Sequence, residues 1–223
     1  MDRVPARYAT PALSFGILVA GLLAGGAEAA ACGSGKLIRE DTFKTLDPAW
    51  AIEQKYTKLT AGPDGLTIGV PAGKNVGALY QSGLYRSFEL CIRAVTEKPD
   101  PNADDLLALR FWTPDGNDEY WAVTWTGRGW FVVNQYVGGA KPKAITPQIK
   151  DTLPLHGDGV NEFSVSVNGN RGVFSLNGQK LTDFTGQPPD GGSIFGFLIS
   201  ADENHASTFV LKDLQLREPA AQP

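Results

Sequence analysis

The chain is poor in the residues on which most catalytic and metal chemistry rests. It has two histidines, His156 and His205, too far apart in sequence to suggest a zinc site. No Gly-x-Ser-x-Gly elbow occurs, so a hydrolase triad of that type has no basis. No glutamate is followed two residues later by aspartate. That spacing would let alternation point two carboxylates of one strand into a cleft together, and the chain does not offer it. Basic clusters are missing too. Twenty Lys and Arg stand against 24 Asp and Glu, for a formal charge of −4, and phosphate recognition needs clustered cations, so nucleic acid is not an expected partner. The glycines of "AGGA" and "VGGAK" join no strand to a helix and are not phosphate loops. No cofactor is implied. "DGNDE" (115–119) offers oxygen ligands suited to Ca²⁺ but lacks the length and terminal Glu of an EF-hand, and reads as a β-turn. "DENH" (202–205) has the side chains for a metal or an acid/base pair, but reads first as a solvated turn.

Sustained helical periodicity is also absent; "PNADDLLAL" suggests one short turn at most. What is present is 26 glycines, 15 prolines and strand after strand. Period-2 alternation or short apolar runs bounded by turn residues predict strands at Leu37–Asp41, Leu66–Val70, Gly77–Gln81, Ser87–Thr96, Leu106–Thr113 and Tyr120–Thr126. They continue at Trp130–Val137, Glu162–Val167, Gly172–Leu176, Ile194–Ser200 and Thr208–Arg217. Asn177-Gly178 suits a two-residue primed turn, and "VNGNRGV" a slightly longer one. Many short strands at regular spacing in 223 residues predict an all-β protein, a two-sheet antiparallel jelly-roll sandwich forming one domain over residues 30–218. Residues 219–223 are expected to be a disordered tail.

Ahead of the strands, Arg3 and Arg7 precede an uncharged, largely apolar run centred on "LSFGILVAGLL", closed by the small residues "AEAA". This reads as a secretory signal peptide, residues 1–29, with cleavage after Ala29. A retained membrane anchor is the rival reading; after cleavage no membrane span is expected. Export places the protein in the periplasm or outside the cell, where Cys32 and Cys91 are free to form a disulfide. In "RSFELCIRAV", Phe88, Leu90, Ile92 and Ala94 share one face, and Cys91 shares the other with Glu89 and Arg93. A segment crossing that outer face would bring Cys32 to it; two unrelated thiols are the alternative.

Three stretches carry a family likeness. "EDTFKTLDPAW" resembles the opening strand, "GVFSLNGQKLTDF" the late hairpin and "STFVLKDLQLRE" the last strand of the concanavalin A-like lectin/glucanase superfamily, with its laminin-G-like and 3-keto-disaccharide-hydrolase-like bacterial sandwich domains. The resemblance covers residues 36–218. It implies a jelly roll whose last strand pairs beside the first, and a glycan site on the concave face of one sheet. It implies no particular activity.

Four of the five tryptophans fall between Phe111 and Tyr136. Alternation buries Leu109, Phe111, Trp121, Val123, Trp125, Phe131 and Val133. It leaves Arg110, Trp112, Tyr120, Thr124, Trp130, Asn134 and Tyr136 on the opposite face. Those seven have the make-up of a sugar-binding surface, with rings to stack on pyranose C–H faces and polar groups for hydroxyls. High β-propensity alone would put the same residue types on a solvent face. The function expected is a non-catalytic, exported module binding a glycan or another polyhydroxylated ligand. A second reading is a glycoside or keto-glycoside hydrolase using the loop carboxylates Asp115, Asp118, Glu119 and Asp202. A third is an envelope structural or interaction domain. Oligomeric state has no signature in the sequence.

Overall fold

The computed structural model describes residues 32–52, 57–97, 103–114, 119–150 and 159–220. The expected leader, His156, Asp115 and Asp118 lie outside them. Among the described residues sixteen strands run in order: β1 (Leu37–Asp41), β2 (Trp50–Ile52), β3 (Lys58–Gly62), β4 (Gly65–Val70), β5 (Asn75–Tyr85), β6 (Phe88–Glu97), β7 (Leu106–Thr113) and β8 (Tyr120–Thr126). They continue with β9 (Trp130–Tyr136), β10 (Lys143–Ala144), β11 (Ile149–Lys150), β12 (Asn161–Asn168), β13 (Arg171–Leu176), β14 (Gln179–Thr185), β15 (Ser193–Ser200) and β16 (Ser207–Arg217). Among the described residues there is no helix, and so none long and apolar enough to cross a membrane.

Two antiparallel sheets face each other across one apolar core. The first has the order β14-β13-β12-β6-β16-β4-β3, with β1 also on β16; the second has β10-β9-β8-β7-β15-β5-β2, with β11 also on β9. The first strand pairs beside the last, Leu37 opposite Arg217 and Asp41 opposite Leu214. The inward positions follow the alternation: Phe88, Leu90 and Ile92 on β6, Phe163, Val165 and Val167 on β12, Leu107, Leu109 and Phe111 on β7, and Phe195, Phe197 and Ile199 on β15 are all buried. Burial of this kind removes apolar surface from water and is the main driving term for the sandwich.

Two bulges break the simple alternation. On β16, Lys212 is an extra residue between Leu211, opposite Ala94, and Asp213, opposite Arg93. The phase shifts by one, so Phe209 and Leu211 face inward, and so do Leu214 and Leu216. Gly65 accommodates that site: with φ +110, a Cβ there would lie 2.2 Å from the Leu211 carbonyl oxygen. On β7, Phe111 and Trp112 together span the single residue Phe195. Both rings therefore enter the core.

The turn chemistry is as expected at Asn177-Gly178, where both residues have positive φ (+50 and +75). "VNGNRGV" makes a two-residue loop rather than a longer one, since Asn168 pairs with Arg171 around Gly169 and Asn170. Strands β2, β3, β10 and β11 were not expected individually, and β14 only as the second arm of the late hairpin. They are short or half-exposed and lie at or next to sheet edges, where one pairing partner and little burial leave a weak pattern.

The opening segment is fastened by Asp41. One carboxylate oxygen accepts from the Phe43 amide (2.8 Å) and the other from the Trp50 indole N–H (2.7 Å). Trp50 then packs against Tyr80, Phe195 and Phe197 with ring centroids 5.2–6.2 Å apart. In the same sheet the chain before β1 crosses the outward face of β6. There Cys32 and Cys91 form a disulfide with Cα atoms 5.6 Å apart, and the Gly33 amide donates to Glu89 Oε1 at 2.9 Å.

Candidate functional site

The meander β7-β8-β9 sets the outward face of the second sheet. Register places Arg110, Ala122 and Asn134 in one row across the strands, and Ala108, Thr124 and Val132 in the next. Tyr120 lies opposite Tyr136. Their rings stack at 4.4 Å with 9° between planes, and the Arg110 guanidinium lies 3.6 Å from the other face of Tyr120. The three side chains form a layered ridge standing on the sheet, held by aromatic stacking and a cation–π contact. Tyr120 has both faces covered. Tyr136 ends the ridge on one side and Arg110 on the other.

On the Arg110 side of the ridge lies an open groove of about 500 Å³. Its floor comes from β5 and β15, with Gly77, Leu79 and Leu198, and its edges from Asn75 and Ala51. These residues escape a reading along the chain because β15 and β5 join β7 from distant parts of it. The signal available was glycine inside strands. Gly196 permits close backbone approach, since a Cβ there would sit 1.9 Å from the Ala78 carbonyl oxygen. At Gly77 a Cβ would meet Arg110 Nη1 and Leu198 Cδ1 at 3.7 Å, ordinary contact. On the Tyr136 side lies a smaller cleft of about 290 Å³, bounded by Glu119, Gln135 and the Gln187–Asp190 loop.

Of the seven residues expected on this face, Arg110, Tyr120, Asn134 and Tyr136 are brought together, half-buried. Trp130 is on the same face but further along β9, opposite Lys150, whose ammonium lies 5.9 Å from its ring. Thr124 is on the face yet only 5% exposed. Trp112 is not on the face. The β7 bulge gives it φ +46 and turns it inward, 2% exposed, against Phe111, Trp121 and Phe184. Strict alternation fails there because a bulge adds one residue to the count. Trp121 and Trp125 are core residues, as expected.

Of the loop carboxylates, Glu119 and Asp202 are among the described residues, and these two do not converge. Ser200 pairs with Leu106 at the start of β7, so Asp202 lies at the end of the sheet away from Tyr120, about 20 Å off by strand rise. Its oxygens accept from the Asp104 amide (3.0 Å) and from the Asn204 amide and side chain (2.8 and 2.9 Å). These bonds hold its carboxyl down at a pKa of about 2. Asp105 is buried, accepts from the Asp202 amide (3.0 Å) and lies 3.3 Å from His205 Nε2. The "DENH" turn is thus a staple between the loops flanking β7 and β15.

Neither a family model nor a curated protein matches this sequence. Solved structures do match the fold. A carbohydrate-binding module, CBM66 from Bacillus subtilis, aligns with TM-score 0.59 and 14% identity over 76% of this chain and 96% of its own. A Bacillus subtilis protein of unknown function with a galectin-like fold gives 0.63 and 11%, over 84% and 98%. A Bacillus licheniformis beta-glucanase gives 0.55 and 11%, over 83% and 100%. The architecture is that of the concanavalin A-like lectin/glucanase sandwiches.

Proposed function

We propose that this chain is an exported glycan-binding module whose ligand lies along the outward face of the second sheet. The observation that carries this reading is the Arg110–Tyr120–Tyr136 ridge, fixed by stacking and flanked on both sides by open concavities. Aromatic and guanidinium planes suit sugar C–H faces, while Asn134 and Asn75 supply donors and acceptors for hydroxyls. The fold supports it, since sandwiches of this architecture include a carbohydrate-binding module. Export is supported by the Cys32–Cys91 bond, which persists in oxidising compartments. The leader over residues 1–29 and the domain over 30–218 belong to the same reading.

A glycan array followed by calorimetry on the best oligosaccharide tests it. Tyr136→Ala is expected to weaken binding by about tenfold or more, the loss of one stacking plane and its buried contact. Gly77→Leu is expected to fill the groove and abolish binding with the fold intact, because the first added atom meets its neighbours at normal distance. Binding unaffected by both variants, or no binding to any glycan on the array, would overturn the proposal.

A further inference from the structure

We propose a second sugar site, at the end of the sandwich, in the cleft between Tyr85–Ser87 and the Gln187–Ser193 loop, with Trp112 in its wall. The cleft measures about 360 Å³, within the range of small-molecule pockets. It goes beyond the aromatic face and does not depend on it.

Three independent observations meet at this place. Trp112 holds a left-handed backbone conformation that bulky aromatic residues avoid, and such outliers cluster at ligand sites. Its indole Nε1 is buried and has no hydrogen-bond partner, although buried polar groups are nearly always paired. The residue lines both the 360 Å³ cleft and its 290 Å³ neighbour, one on each side of the Gln187–Asp190 loop. The loop is held close to the sheet. A Cβ on Gly186 would collide with the Trp121 and Trp112 rings at 2.4 and 2.6 Å, and the Ser193 hydroxyl donates to the Tyr85 carbonyl at 3.1 Å.

The lining selects the ligand. Arg86 and Asp190 both border the cleft, both are exposed, and neither makes an ion pair among the described residues. A phosphate would be repelled by Asp190 and a cation by Arg86. A neutral polyol suits both, its hydroxyls donating to the carboxylate and accepting from the guanidinium. Tyr85, Pro188 and Pro189 supply apolar walls for ring C–H groups.

Amide and indole ¹H–¹⁵N spectra of the disulfide-intact protein test this, with glucose, mannose, galactose, fructose and their methyl glycosides as probes. Trp112→Phe assigns the indole signal. One or more sugars should shift the Trp112 indole resonance saturably, together with the Gly191 and Gly192 amides. Arg86→Ala and Asp190→Asn, both exposed and neutral to folding, should each weaken that shift's affinity about tenfold. Tyr136→Ala should leave it unchanged. An indole signal unmoved by every probe overturns the proposal, as does a shift insensitive to Arg86 and Asp190. A shift abolished by Tyr136→Ala alone also rejects the second site, while leaving the aromatic-face reading standing.

Discussion

On the outward face of the first sheet, Glu89, Cys91, Arg93, Asp213 and Gln215 are closed over or paired off. The segment before β1 is bonded to Cys91, Arg93 holds Asp213 through Nε at 2.8–2.9 Å, and Gln215 donates to Glu40 at 2.9 Å. On the outward face of the second sheet, Arg110, Tyr120 and Tyr136 stack on one another and border open grooves. Both faces arise from the same rule, polar residues alternating with the core. The difference is that one face spends its polar groups on the protein's own chain and the other leaves room for something else. A polar sheet face becomes a candidate site only when no segment of the protein covers it.

The sharpest way to break this contrast is to remove the disulfide. The cross-link closes a separation of 59 residues, worth about 4 kcal/mol in the chain-entropy treatment. Reduction, or Cys32→Ser with Cys91→Ser, should lower the melting temperature by roughly 10 °C. Binding on the second sheet should survive at temperatures where the protein stays folded. An unchanged melt would mean that the covered face contributes little. Next in size is Arg93→Ala, which strands the buried Asp213 carboxylate and should cost about 2–3 kcal/mol by denaturant titration, reduced because Arg93 is partly exposed. Tyr136→Ala is the matching change on the open face and should cost under about 1 kcal/mol. If the two costs are equal, the faces are not built differently.

Two smaller effects depend on pH. Asp202 is held at about 2, below its ordinary 3.8, so its contribution to stability is present above that ordinary value and is lost as pH falls toward 2. Asp202→Asn should flatten this acid limb in melts taken from pH 5 downward. Glu162 moves the other way. Burial raises its pKa above 4.5 despite the bond from the Cys32 amide, and the Glu89 charge adds to the rise. Its favourable contribution is therefore present at low pH and lost as pH rises through the raised value. Glu162→Gln should match the natural protein in acid and exceed it slightly at neutral pH. A constant difference across pH would show that Glu162 does not report burial under the N-terminal segment.

The residues themselves determined the strands whose alternation is sustained. "EFSVSV", "FELCIRAV" and "EYWAVTW" could be assigned to faces directly, because a half-buried strand repeats every two residues whatever surrounds it. The Asn177-Gly178 turn and the placing of Cys91 away from the core were legible for the same local reason. So were the outward positions of Arg110, Tyr120, Asn134 and Tyr136. Tertiary structure alone decided the rest. Trp112 went inward because a bulge against β15, a strand more than eighty residues away, inserted one residue into the count. Gly77 and Leu198 joined the groove because β5 and β15 pair beside β7, a choice made by long-range burial that no local pattern records. Asp202, next to a histidine and grouped with acids in sequence, became a staple at the far end of the sheet. Alternation specifies which way a side chain points; only the packing of distant strands specifies what it points at.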